Sequence, residues 1–80
     1  MAATREDILR WLHRGKAEGA SHMLVLCDTF DWDDYPVFVK SVEAARERSG
    51  APGSMQKLME VYNLSMDWDA QLAEHRAFHF

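Results

Sequence analysis

Between Arg5 and Glu18, apolar side chains recur at Ile8, Leu9, Trp11 and Leu12 among polar neighbours. That spacing gathers them on one stripe and predicts an α-helix over Arg5 to Glu18. Thr4 is placed to cap the open amides of the first turn, Glu6 and Asp7 suit its positive end, and Gly19 supplies a stop. Gly15 is the anomaly, because an interior glycine costs about 1 kcal/mol relative to alanine. It marks either close packing or an earlier helix end.

From His22 the pattern becomes continuous: Met23, Leu24, Val25, Leu26 and Cys27 form an unbroken apolar run. A run of this length between polar flanks predicts a buried strand over His22 to Phe30. Tyr35 to Lys40 contains Val37, Phe38 and Val39, β-branched and aromatic residues that favour extended chain. Pro36 suits the first positions of a strand or an edge. The intervening Asp31, Trp32, Asp33 and Asp34 have the length of a hairpin turn. A two-stranded hairpin is marginal alone in water, so helices must cover one face. The other face, or an open edge, is left for a partner strand.

Ser41 is positioned to cap a short helix over Val42 to Arg48, ended by Ser49-Gly50. Ala51-Pro52-Gly53-Ser54 is the clearest breaker in the chain. Beyond it, Met55, Leu58, Met59, Val61 and Tyr62 match the apolar face of a second helix ending at Asn63. Ser65, with Asp67 and Asp69 behind it, opens a last helix carrying Trp68, Leu72 and Phe78. These elements predict a single α+β domain over residues 1–80. It has an N-terminal helix, an antiparallel β-hairpin and two or three C-terminal helices packed on the sheet.

Composition narrows the function classes. At 80 residues, 48% hydrophobic and 28% charged, the chain has the make-up of one small folded domain whose large apolar residues are needed in its core. A net charge of −4 argues against a nucleic-acid partner, since phosphate affinity comes mainly from clustered Lys and Arg. Arg5, Arg10, Arg14 and Lys16, and then Arg46 and Arg48, read as solvated helix faces. A single cysteine excludes an internal disulfide and a Cys-based zinc framework, and fits a reducing compartment. No apolar run approaches the ~20 residues of a membrane span, and the first residues lack the apolar core of a signal peptide. A cytoplasmic protein with no membrane partner is expected.

The candidate chemistry lies in Cys27 to Pro36, where Asp28, Asp31, Asp33 and Asp34 alternate with Phe30, Trp32 and Tyr35. Such acids must be solvated, paired or metal-bound, because repulsion and desolvation both penalise them. As an EF-hand the segment fails: a loop starting at Asp31 has Pro36 where glycine belongs and Val42 where the closing glutamate belongs. A looser metal site is the alternative. In the structural reading, Asp31, Asp33 and Asp34 bond turn amides, while Asp28 faces solvent or a base of the first helix. In the binding reading, Phe30, Trp32 and Tyr35 are anchors whose acidic rim steers a basic partner. Trp32 is the most informative residue, as a turn-apex tryptophan must either stand exposed or fold back onto a helix.

His75 and His79 would share one face of the last helix, a weak zinc signal without the glutamate of a zincin helix. Cys27 and His22 fall on opposite faces of a strand and make no nucleophile and base. No phosphate loop, nucleophile elbow or dinucleotide fingerprint is present, so the sequence assigns no catalytic residue, no metal ligand and no cofactor.

The segments Gly15 to Met23, Cys27-Asp28-Thr29-Phe30-Asp31 with Asp34-Tyr35-Pro36-Val37, Met55 to Tyr62, and Gln71-Leu72 with His75 to His79 together resemble a group of small bacteriophage- and prophage-encoded proteins. None of them is a catalytic signature. The resemblance implies expression inside a bacterial host and brings no activity with it. The expectation is a non-enzymatic, host-directed interaction protein binding through Asp28, Phe30, Asp31, Trp32, Asp33, Asp34 and Tyr35. The alternatives are a metal-binding or metal-dependent domain using the same acids, and a self-associating component, a homodimer paired through the hairpin edge.

Overall fold

The computed structural model describes residues 3–80. Its elements are α1 (Arg5–Ala17), β1 (His22–Asp28), β2 (Asp33–Val39), α2 (Val42–Gly50), β3 (Gln56–Asn63) and α3 (Trp68–Ala73). The strands form an antiparallel sheet in the order β2-β1-β3.

The N-terminal helix forms as its sequence predicts. Thr4 accepts from the Asp7 amide, and the Asp7 carboxylate accepts from the Thr4 amide, closing a capping box. Gly19, at φ 79°, ends the turn in the left-handed region. Gly15 is explained by close packing, since a Cβ there would stand 2.7 Å from the Phe38 ring. α2 likewise begins at its predicted cap, with the Ser41 hydroxyl accepting from Ala44.

β1 is central in the sheet and covered on both faces, which accounts for its continuous apolar run. On one face Met23 and Val25 pack with Tyr62 against Ile8 and Leu12 of α1, joined by Trp68 and Leu72 of α3. On the other, Leu24 packs with Val61 against Ala45 of α2, with Val37, Val39, Leu58 and Phe80 around them. The expectation that the second face is left for a partner strand is therefore corrected, while its alternative, an open edge, is untouched. A nine-residue α2 suffices to cover the second face.

The predicted helix over Met55 to Asn63 is β3 instead. A register shift opposite Val25 and Leu26 inserts a residue into β3, so Leu58 and Met59 go to opposite faces while Tyr62 and Val61 keep strand alternation. The bulge breaks the period of two and leaves an apolar spacing that imitates a helix. The last predicted helix is also shorter, six residues capped by Asp67 and ending at Ala73. Phe78 lies beyond it, in a segment that pairs parallel to Val61. His75 and His79 consequently share no helix face, and His79 Nε2 bonds the Glu74 carboxylate at 2.9 Å.

The hairpin also differs in detail. The strands end at Asp28 and resume at Asp33, so the turn is Thr29 to Trp32, two residues earlier than the pattern implies. Asp33 and Asp34 belong to β2.

Candidate functional site at the hairpin tip

Asp28 shapes the turn. Its Oδ1 accepts from the Phe30 amide at 2.8 Å, and its carbonyl accepts from the Trp32 amide at 2.6 Å. This Asx-type bond is why the chain leaves the ladder at Asp28 rather than continuing to Phe30. Asp28 stays partly exposed, and the partner its carboxylate takes is a turn amide, not a base of the first helix. Trp32 closes the loop at φ 59°, a conformation uncommon for a residue with a large side chain.

The turn carries its rings outward. Phe30 is 74% exposed and Trp32 63%, so Trp32 does not fold back onto a helix. A third exposed apolar residue is tied to the turn through its backbone from a distant part of the sequence: Met55, 55% exposed, accepts at its carbonyl from the Thr29 amide at 2.9 Å. The segment bearing Met55 is held by Arg48, which donates to the carbonyls of Ala51 and Pro52 and to Gln56 Oε1. Sequence reasoning missed Met55 because it assigned the residue to a helix face. The hint available was the Pro52-Gly53 breaker, which ends two residues before it.

The remaining predicted residues divide. Asp31 and Asp33 are exposed beside the rings, with Asp33 opposite Asp28 in the ladder. Asp34 leaves the tip, accepting from the Ala3 amide through Oδ2 at 2.9 Å. Tyr35 is half-buried on β2 opposite Leu26. The acids therefore do not converge: among the described residues no group of three or more His, Cys, Asp or Glu side chains is arranged to hold a metal ion. Cys27 is buried, and burial together with the neighbouring Asp34 pushes its thiol pKa up, away from nucleophilic thiolate.

A second polar cluster was not foreseen. Glu60, only 8% exposed, accepts from the Tyr62 hydroxyl and from the Ala77 amide, each at 3.0 Å. Arg5 donates to the Tyr62 hydroxyl at 3.0 Å and lies 3.5 Å from Glu60 Oε2, while its other terminal nitrogen donates to the Glu74 carbonyl at 2.8 Å. Burial, and then the Glu60 carboxylate, raise the Tyr62 pKa. A cavity of about 270 Å³ adjoins this cluster, lined by Arg5, Glu60 and Arg76 among others. Arg76 donates to the carbonyls of Met59 and Leu58 and sits over the Phe78 ring. The bonds of this cluster run to the protein's own backbone and side chains, tying the chain after α3 to α1 and β3.

No known protein family, no curated protein and no solved structure matches the chain.

Proposed function

We propose that the protein is a non-enzymatic interaction domain whose hairpin tip inserts Phe30 and Trp32, flanked by Met55, into an apolar recess of a protein partner. The observation carrying this reading is the joint exposure of three large apolar side chains on two separately anchored turns. Apolar side chains displayed together in a small domain are the usual centre of a contact. Asp28, Asp31 and Asp33 form the acidic border, which favours a basic rim on the partner. Expression inside a bacterial host, implied by the resemblance to phage proteins, makes a host protein the partner class to test first.

The test is capture from bacterial lysate by the wild type, by a Phe30→Ala/Trp32→Ala double variant, and by a Met66→Ala control remote in sequence from both turns. Loss of a specific protein with the double variant alone supports the tip. Equal retention by all three sinks it.

A further inference from the structure

The two edges of the sheet are finished in opposite ways. On β3, Val61 donates to the Ala77 carbonyl and accepts from the His79 amide; Gln71 bonds both backbone groups of Asn63; Arg76 donates to the carbonyl of Met59. From Met59 to Asn63 that edge is closed. β2 is the other edge, with no strand beyond it among the described residues.

Which groups β2 presents follows from the ladder. Val61 and Asn63 direct their backbone groups outward, so Tyr62 and Glu60 bond β1; their partners Met23 and Val25 therefore bond toward β3, while His22, Leu24 and Leu26 bond toward β2. The β2 partners Val39, Val37 and Tyr35 therefore point their backbone groups inward. Asp34, Pro36 and Phe38 point theirs outward, and continuing the alternation one residue past the end of β2 at Val39 gives Lys40 the same direction. Pro36 falls where an amide has no ladder acceptor inside the sheet, as an edge proline should.

The geometry points to a second copy of this chain as the occupant of that edge, paired antiparallel across a two-fold axis at Val37. In this register Asp34 lies opposite Lys40 of the second copy, and the symmetry repeats the pair. On the same face Pro36 meets Phe38; on the other, Tyr35 meets Val39 and Val37 meets its own equivalent. Acid faces base and apolar faces apolar at every position, a self-complementarity written into Asp34-Tyr35-Pro36-Val37-Phe38-Val39-Lys40. Shifting the register by two residues separates Asp34 from Lys40, and in one direction also sets Pro36 against Pro36, removing a donor from both strands. The missing Pro36 amide leaves one acceptor unfilled per strand in the preferred register. The outward amides of Asp34, Phe38 and Lys40 all find carbonyls.

Sedimentation equilibrium over a concentration series, with amide hydrogen exchange at low and high concentration, tests this pairing. The wild type is expected to dimerise, with protection at Phe38 and Lys40 rising with concentration. Lys40→Asp sets like charges opposite each other twice and should weaken the dimer about tenfold. Adding Asp34→Lys to that variant restores opposite charges and should recover most of the loss. A wild type that is monomeric throughout overturns the proposal, as does a dimer indifferent to Lys40→Asp. A Phe30→Ala/Trp32→Ala variant should dimerise normally; dissociation there would instead assign self-association to the tip and also overturn the edge pairing.

Discussion

The side-chain amide of Gln71 takes the place of a neighbouring strand for Asn63, accepting from its amide at 2.8 Å and donating to its carbonyl at 2.9 Å. Gln71 is fully buried, so these bonds are shielded from water. Gln71→Leu removes both, leaving the buried-side Asn63 amide without a partner and its carbonyl with only the Met66 amide at 3.2 Å. A loss of about 2–3 kcal/mol is expected, read as a lower urea midpoint with unchanged slope. Gln71→Glu keeps an acceptor for the Asn63 amide but turns a carboxylate oxygen toward the Asn63 and Asp67 carbonyls in a buried site, so it should be no milder at neutral pH and should improve as pH falls.

Gly15→Ala separates packing from helix propensity. Alanine would gain about 1 kcal/mol in an exposed helix interior. Here the added methyl meets the Phe38 ring, and the net effect should be a destabilisation of about 1–2 kcal/mol. Combining it with Phe38→Leu should recover part of the loss, an interaction measurable by a double-mutant cycle.

Stability should decline at alkaline pH. Tyr62 and Cys27 both hold their protons more tightly in the folded protein than at their ordinary values of 10.0 and 9.0. The unfolded chain then releases protons first, so their contribution is whole below about pH 9 and is lost as pH rises toward the folded values. Asp7 has the opposite sign. Its bonds to the Thr4 amide and then to Arg10 lower its pKa below 3.8, so its contribution holds above that value and disappears in stronger acid. Denaturation of Tyr62→Phe across pH 7–11 should show a loss of about 1 kcal/mol at neutrality and a flatter alkaline limb than the wild type.

At the tip, shape and surface should respond differently. Phe30→Ser changes an exposed ring and should alter stability by no more than about 0.5 kcal/mol. Asp28→Ala removes the bond to the Phe30 amide and should cost about 1 kcal/mol, with faster hydrogen exchange confined to Phe30 and its neighbours.

The sequence is readable where structure is local. Thr4, Ser41 and the β-branched and aromatic run of β2 announce their elements because the deciding preferences are set within a few residues. β3 is illegible for a stated reason: its bulge exists only against β1, and single-chain periodicity registers the result as helical spacing. The tip was half legible. Trp32 could be placed at a turn and Phe30 only at the end of the strand before it, whereas Met55 reaches them through a bond between two separate turns. The Arg5, Glu60 and Tyr62 cluster joins residues 55 and 57 positions apart, and no pattern of spacing encodes it.

β1 must find two neighbours of very unequal accessibility during folding. β2 follows after the turn Thr29 to Trp32, so its pairing closes a short loop, while β3 arrives only after α2 and a longer excursion of chain. Those distances divide the molecule kinetically. Changes within the hairpin should act chiefly on the rate of folding, and changes to β3 and the segment seated on it chiefly on the rate of unfolding. The bulge that disguises β3 in the sequence thus belongs to the late-closing side of the sheet, where it governs how long the folded state lasts.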